Sequence, residues 1–254
     1  MTAGRVRGRV EQVLGWCTVR GHRSGDNPAR WRGHLDQALP TRGETKLGPD
    51  GRAEKVVKHF EALPYSEVPS FMAALRSREG VAAQALAFLV LTGARSGEVL
   101  GARWSGVDLD AAIWVVPPER MKGRKEHRVP LSPAAVELLR GCYREPGNPH
   151  CFIGPRSGGL SPAALSATLH RMNIAGTAHG MRSAFRDWCA DRTNFPDAIV
   201  ELCLAHEIGS KVEKAYKRSD LIAKRAKLME AWATFCTTAP AKGATVVSLR
   251  GTGR

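Results

Sequence analysis

Apolar positions recur at helical spacing along most of the chain, interrupted once by a long polar stretch. The spacing predicts an amphipathic helix from about Arg5 to Arg20 and a second short helix from Pro28 to Leu39. From residue 40 onward the chain is polar and rich in glycine and charge, which is typical of a linker. The pattern therefore predicts four parts, which are helices at 1–39, a linker at 40–58, a main domain at 59–238 and a disordered tail at 239–254.

Beyond the linker the apolar pattern is again mostly helical. The run from Val81 to Leu91 is apolar nearly all round, so we expect a fully buried helix there. Ser66, Ser132 and Ser161 each stand where a hydroxyl suits a helix N-cap, and the last two precede a proline that suits the first helical position. Further helices are predicted at 66–77, near 96, after 133 and 162, and at 179–191, 196–204 and 221–235.

Two short segments have the composition of strands. Ile113–Val116 and Arg128–Leu131 are rich in β-branched and aromatic residues, which predicts a β-hairpin. The basic stretch MKGRKEH between them puts Lys122, Arg124 and Lys125 at a cationic tip. Helices combined with one small hairpin or sheet make an α+β fold that is mainly α.

The sign balance of the charges is the most informative feature of the composition. Lysine and arginine number 38 against 24 aspartate and glutamate, which gives a net charge of +14 and a pI near 10.0. Such an excess predicts a polyanionic partner, because each neutralised phosphate releases condensed counterions. Nucleic acid is the expected partner, although charge by itself fits a basic RNA-binding protein as well as an enzyme.

The cysteines and the apolar runs narrow the cellular context. The 6 cysteines are dispersed and none forms a CxxC pair, which favours small core residues in a reducing cytosol over a zinc site or a disulfide framework. The N-terminus has no apolar core like that of a signal peptide, and the most apolar run is too short to span a bilayer. A cytoplasmic location is predicted.

Two groups of cations are candidates for binding a phosphate. Arg95 lies where the buried helix ends and the next begins, and a guanidinium at a helix start offers a rigid fork of donors beside free backbone N–H groups. Glu98 could hold Arg95 in place, although an ordinary surface pair has the same spacing. Lys122 could donate a proton to a leaving alkoxide. Lys125 competes for that role, and with Arg128 these lysines could instead form a solvated cluster that only contacts phosphates.

Four more candidates follow in the C-terminal half. His179 and Arg182 form the motif HGMR at a helix start, and positions three apart share a helical face. His206 ends the stretch LCLAH, where a histidine can simply complement a helix dipole. Tyr216 is one of 3 tyrosines and lies among cations in VEKAYKRSD, an unusual setting for a core residue. A phenol becomes a good nucleophile only when a base or a positive charge helps to form the phenolate.

The order of these residues is far more specific than any one of them. An arginine, a hairpin lysine, an HxxR motif, a histidine and a tyrosine in this order resemble the active-site series of the tyrosine recombinases. The local contexts agree, with TGARSGE, HRVPLS, LAH and AY at the matching places. The chain resembles in particular the integrases of temperate phages and bacterial genomic islands, over about Ala62 to Phe235. The matching positions are Arg95, Lys122, His179, Arg182, His206 and Tyr216.

The resemblance implies a fold and a reaction. The fold would be the helical catalytic domain of the DNA breaking-rejoining enzymes, preceded by remnant helices of a core-binding domain. In such enzymes a tyrosine, here Tyr216, attacks a DNA phosphodiester to form a 3′-phosphotyrosyl link, and the 5′-hydroxyl of a partner strand reverses the step without ATP. No metal or other cofactor is expected, because side chains would stabilise the transition-state charge. Double-stranded DNA with attachment-type sites is the expected partner, bound by a homotetramer that assembles from free monomers.

The same resemblance implies a role for each matching residue. Arg95 and Arg182 would clamp the non-bridging phosphate oxygens, and His206 would donate to one of them. His179 would handle the proton of the nucleophile, and Lys122 would protonate the leaving 5′ oxygen. Three further cations would bind DNA, namely Arg124, Lys125 and Arg128. Glu98 would hold Arg95 in place.

Several alternatives stay open at this point. Only about 40 residues precede the predicted linker, so we expect an N-terminally truncated integrase that lacks the first part of the clamp around DNA. A catalytically impaired remnant would bind DNA without forming a covalent adduct. A type IB topoisomerase-like enzyme would relax supercoils without a partner site, and an RNA-binding protein is supported by charge alone. The apolar stripe at 221–235 fits docking on a neighbouring subunit and packing on its own domain about equally.

Overall fold

The computed structural model describes residues 3–39, 45–47, 53–55, 62–206 and 220–238. The chain forms two compact units, which comprise residues 1–59 and 60–254. In the described part of the chain, none of the helices combines the length and the apolar character needed to cross a membrane. Each unit has its own secondary structure.

The first unit begins with the predicted amphipathic helix, α1 (Ala3–Val19). The second predicted helix is mostly irregular: a wide turn over Trp31–Leu35 leads into α2, which is only Asp36–Ala38. Helical geometry is lost because Arg32 has an extended ψ of 127° and Gly33 has a φ of 67°. Such a positive φ is accessible to glycine at little cost and interrupts the helix.

A short antiparallel ladder occurs within the segment predicted to be a linker. Its strands are β1 (Thr45–Leu47) and β2 (Ala53–Lys55), paired so that Thr45 faces Lys55. The polar composition of this segment contains no apolar alternation, so the sequence offered no signal for these strands.

The second unit is mainly helical with a small sheet, which confirms the predicted α+β class. Its described helices are α3 (Val68–Arg76), α4 (Val81–Thr92), α5 (Ser96–Leu100), α6 (Pro133–Arg140), α7 (Ala164–Arg171), α8 (Gly180–Arg192), α9 (Asp197–Cys203) and α10 (Ile222–Thr237). Its described strands are β3 (Val107–Asp108), β4 (Ile113–Val116) and β5 (His127–Pro130).

The three strands form one antiparallel sheet in the order β3, β4, β5. The predicted hairpin is confirmed, with Trp114 facing Val129 and Val116 facing His127 across the ladder. All four of these side chains are buried, because alternate positions of a strand point to the same face. Strand β3 was not predicted, since a run of only two residues carries no detectable alternation.

The core is organised around α4, which packs against α3, α5, α6, α7, α8 and α10. The prediction of a fully buried helix is confirmed. The Phe88 ring of α4 lies 5.2 Å from that of Trp114 and 5.5 Å from that of Phe152, so the helix joins the sheet to the loop after α6. The cysteines contribute to the core as predicted, since all except Cys17 are buried and all six are free thiols.

The C-terminal helix α10 packs on its own domain. Leu228, Met229 and Trp232 are buried, and the indole N–H of Trp232 donates to the Val90 carbonyl at 2.7 Å. The Trp232 ring also lies 5.3 Å from that of Phe185. Residues 222–237 therefore pack within the chain.

The predicted serine caps have different outcomes. The Ser132 hydroxyl accepts the Ala135 backbone N–H at 3.3 Å, which confirms the cap of α6. The predictions at Ser66 and Ser161 are wrong, because Ser66 lies within a short 3₁₀ helix (Tyr65–Glu67) and Ser161 precedes the turn that leads into α7. At the second position the Ala164 N–H bonds the backbone carbonyl of Ser161 at 3.0 Å, so a closed turn comes before α7.

Replacing the capping hydroxyl should therefore have a position-dependent effect. We expect Ser132→Ala to lower the free energy of unfolding by about 1 kcal/mol, because a helix N-terminal N–H loses its acceptor. Ser161→Ala is the matched control and should change it by less than about 0.5 kcal/mol, since Ser161 is exposed and outside the helix. Urea unfolding followed by circular dichroism measures both, and equal losses would contradict the assignment.

Candidate active site

Arg95 is held by a buried carboxylate at the start of α5. The Glu98 carboxylate accepts both the backbone N–H and the Nη1 of Arg95, each at 2.8 Å. Only 4% of the Glu98 side chain is exposed, whereas that of Arg95 is 26% exposed. The guanidinium is therefore oriented from behind and keeps an open side, which is the arrangement the sequence suggested for this pair.

Arg182 lies in the first turn of α8 and is almost fully buried, with 4% of its surface exposed. Its Nη1 donates to the Gly93 carbonyl, and its Nη2 donates to the Leu204 carbonyl at 2.6 Å. Gly93 is the C-cap of α4 and Leu204 that of α9, so the acceptors are carbonyls that a helix end leaves without an intrahelical partner. Burial, and next the charge of Arg95, lower the pKa of Arg182 to about 10, so it stays a cation at neutral pH.

The turn after α9 brings His206 to Arg182. The Nε2 of His206 lies 3.2 Å from Nη2 of Arg182, and its Nδ1 lies 2.5 Å from the Glu201 carboxylate. Arg95 also reaches this turn, since its Nη2 donates to the Ala205 carbonyl at 3.2 Å. Ala205 has a φ of 52°, a left-handed conformation that costs a residue with a Cβ about 1–2 kcal/mol. The strained turn thus places the Ala205 carbonyl at Arg95 and the His206 ring at Arg182.

His179 stands at the N-cap position of α8, close to the same groups. Partial desolvation lowers the pKa of His179, and the charges of Arg182, Arg95 and His206 lower it further. The imidazole is therefore neutral at physiological pH. Arg95, His179, Arg182 and His206, drawn from helix ends far apart in sequence, lie together at one site that favours an anion.

The hairpin cations lie on a different element from this group of four residues. Lys122, Arg124 and Lys125 are exposed in the loop between β4 and β5. Arg128 on β5 bonds Asp220 at 3.1 Å. Tyr216 lies outside the described residues, so its role remains a prediction.

A buried layer beneath the arginines was missed by sequence reasoning. His127, at the start of β5, hydrogen-bonds the backbone of Cys203, and Arg225 of α10 donates to the Arg128 carbonyl at 2.7 Å. Arg225 is only 2% exposed. Its position was a usable signal, because it falls four residues after Leu221 on the apolar stripe, where a charged residue needs buried partners.

Comparison with known proteins identifies the family. The family model described as "Phage integrase family" matches residues 61–221, and that described as "Phage integrase central domain" matches residues 1–34. The fold is that of the tyrosine recombinases. The chain belongs to the phage integrase family.

Relatives with curated descriptions support this membership. Prophage integrase IntS of Escherichia coli strain K12 is 30% identical over 240 residues, which cover 91% of this chain and 57% of the relative. The integrase of Shigella phage Sf6 is 29% identical over the same shares of the two chains. Prophage integrase IntZ of E. coli strain K12 is 31% identical, over 69% of this chain and 44% of the relative. The chain thus spans about half the length of the curated relatives it matches.

Solved structures share the fold. An integrase from mycobacterium phage Brujita superposes with a TM-score of 0.54 at 21% identity, over 90% of this chain and 72% of the other. A dimer of lambda integrase residues 75–356 bound to a COC′ core site gives a TM-score of 0.54 at 20% identity, over 86% of this chain and 73% of the other. At sequence identities this low, the two comparisons show a shared fold.

The buried His127 should make stability depend on pH. Burial, and next the charge of Arg225, lower the pKa of His127 from 6.5 to about 3. In the unfolded chain the imidazole gains a proton below about pH 6.5, while the folded protein does not, so acid favours unfolding. One such group should remove about 2 kcal/mol of stability between pH 7.5 and pH 5.

His127→Gln tests this dependence. The variant should lose less stability than the wild type between the two pH values, with the difference set by the missing imidazole. His170→Gln, an exposed histidine of the same unit, is the control and should leave the dependence unchanged. Chemical unfolding at both pH values measures the difference. An unaltered pH dependence in His127→Gln would show that this histidine is not the group responsible.

Proposed function

We propose that this chain carries the catalytic domain of a site-specific DNA recombinase, an integrase that cuts and rejoins DNA through a 3′-phosphotyrosyl intermediate. The observation that carries the proposal is the meeting of Arg95, His179, Arg182 and His206 at one site. Membership of the phage integrase family supports it independently. The reaction must stabilise a pentacoordinate phosphorus that bears extra negative charge, and this site concentrates donors for that charge.

The two guanidinium groups retain donors for a phosphate. A guanidinium has five N–H bonds, and the contacts of Arg95 with Glu98 and Ala205 leave donors on its exposed side. Arg182 is fixed by two backbone carbonyls, so its remaining N–H groups are already oriented before DNA binds. We assign both arginines to the non-bridging oxygens and His206 to an additional hydrogen bond with one of them. Orientation before binding is what makes such charge stabilisation effective.

Proton transfer is assigned to the remaining two candidates. The lowered pKa of His179 keeps its imidazole neutral, which suits a base that accepts the proton of the attacking phenol. Lys122 lies in the exposed hairpin loop, where it can approach bound DNA and protonate the leaving 5′ oxygen. Arg124, Lys125 and Arg128 are assigned to DNA contacts. In this scheme side chains supply the charge, so the proposal requires neither a metal nor a cofactor.

Tyr216 is the proposed nucleophile, and the chain on either side of it supports this assignment. It follows His206 by ten positions and precedes Asp220 by four. His206 contacts Arg182, and Asp220 contacts Arg128 beside the buried layer. An extended chain spans at most about 3.6 Å per residue, so the Cα of Tyr216 is within about 14 Å of that of Asp220. Connectivity is therefore compatible with the proposed role of Tyr216.

The proposed partner is double-stranded DNA. The net charge of +14 favours a polyanion, and we propose attachment-type sites bound by four copies of the chain in the cytoplasm. A lambda integrase tetramer bound to a Holliday junction has this fold, with a TM-score of 0.53 at 19% identity over 82% of this chain and 59% of the other. The regions at 1–39 and 59–238 are proposed as a helical core-binding segment and the catalytic domain.

A covalent adduct is the direct test of the nucleophile. We expect the protein, incubated with nicked suicide duplexes from the genomic flank of its gene, to form a protein–DNA adduct that survives a denaturing gel. Tyr216→Phe should abolish the adduct while DNA affinity stays nearly unchanged, because only the phenolic oxygen is removed. Tyr143→Phe is the control, since Tyr143 is 69% exposed, and it should form the adduct normally. An adduct with Tyr216→Phe would refute the assignment, and binding without any adduct would indicate an impaired remnant.

Loss of Arg182 should affect the rate far more than binding. We expect Arg182→Gln to slow adduct formation by about 10²–10³-fold, by analogy with the loss of one oxyanion donor. Arg192→Gln, at the exposed end of the same helix, removes the same charge and should change the rate less than about threefold. Thermal unfolding must show that both variants are folded. Equal rates in the two would contradict a transition-state role for Arg182.

A further inference from the structure

We propose that Glu201 is a positioning residue that fixes the ring and the tautomer of His206 for phosphate binding. The inference deepens the proposed function and rests on it. Glu201 lies in α9, five residues before His206, and its carboxylate is 2.5 Å from Nδ1 of the ring. Neither spacing nor residue type singled it out in the sequence, because the contact forms only when the turn after α9 brings the ring back.

The carboxylate determines which ring nitrogen carries the proton. An ionised carboxylate only accepts hydrogen bonds, so Nδ1 must be the protonated nitrogen. The opposite nitrogen, Nε2, then has its lone pair directed at Nη2 of Arg182, 3.2 Å away, which is a donor. Only the neutral tautomer with its proton on Nδ1 satisfies both contacts. In metalloproteins a carboxylate likewise accepts the proton of one ring nitrogen and so orients a histidine that binds the metal through its other nitrogen.

Glu201 is itself held from the solvent side. Its other carboxylate oxygen lies 3.1 Å from Nη2 of Arg186, one turn after Arg182 on α8. The Glu201 side chain is 22% exposed and that of Arg186 is 64% exposed. A continuous series of contacts therefore runs from surface to site in the order Arg186, Glu201, His206, Arg182, and the carboxylate is the member that joins the two helices.

The charges around the ring explain why a carboxylate is needed. Among the described residues, Arg182 and His179 at the start of α8 and Glu201 of α9 face His206, and Arg95 at the start of α5 bonds the carbonyl of the adjacent Ala205. Two of these are permanent cations. When a phosphate oxygen takes the place of the Arg182 N–H at Nε2, the ring must gain a proton there from solvent in order to donate to it. Glu201 stabilises the resulting imidazolium through Nδ1, as a buried carboxylate does in other acid–base pairs.

Glu201→Gln tests the charge while preserving the shape. Its amide oxygen can still accept the Nδ1 proton, but it cannot balance an imidazolium. We expect adduct formation to fall about tenfold at pH 8 and to recover toward the wild-type rate near pH 6, because acid restores the second ring proton. Glu230→Gln on α10 removes the same charge from an exposed site and should follow the wild-type profile. A loss that is equal at every pH, or no loss, would overturn the proposal.

A second measurement separates this proposal from the proposed function. In the DNA-free protein at pH 8, long-range ¹H–¹⁵N spectra should show a proton on Nδ1 of His206, and Glu201→Ala should redistribute it between the two nitrogens. A wild-type ring without a proton on Nδ1 would overturn the role of Glu201 whatever the activity. If the wild-type protein forms no adduct under any condition while the tautomer is as expected, the recombinase function fails and the positioning of His206 stands.

Discussion

The buried guanidinium of Arg182 is the interaction on which the site depends. Removing a guanidinium from water costs several kcal/mol unless its donors are satisfied. Here the acceptors are the carbonyls of Gly93 and Leu204, which close two helices that meet α8. Backbone carbonyls cannot change rotamer, so α4, α8 and α9 are held in one relative position by the residue that is also proposed to bind the phosphate. The same two hydrogen bonds of Arg182 therefore stabilise the fold and fix the geometry of the site.

Charge at the site is concentrated without being neutralised. Arg95 and Arg182 keep their charges, and each has a carboxylate on the side away from the open region, namely Glu98 for the first and Glu201 through His206 for the second. The lowered pKa of His179 follows first from its partial burial and then from the same crowding, because a third cation beside two others is unfavourable. An arriving phosphate relieves this repulsion, so the unliganded site is already suited to an anion.

The sequence predicted what depends on local pattern and missed what depends on long-range packing. The buried helix α4, the hairpin of β4 and β5, and the Ser132 cap follow from apolar runs, β-branched residues and a hydroxyl before a proline. The proposed catalytic series is apparent in the sequence only from its order along the chain, since no spacing rule places Arg95 at the turn that carries His206. His127 was missed because its partner lies far along the chain, and Glu201 because its contact with His206 forms only through the turn after α9.

Packing of α10 on its own domain links the C-terminus to the hairpin. Arg225 donates to the carbonyl of Arg128, and the side chain of Arg128 bonds Asp220, so β5 is held by two contacts from one short stretch of chain. The same strand begins at His127, which bonds the backbone of α9 just before the turn that carries His206. The hairpin that bears Lys122 and the turn that bears His206 are thus fixed to a common buried layer. A change in how α10 packs would consequently alter both sides of the proposed phosphate site together, although none of the residues assigned to the reaction lies in α10.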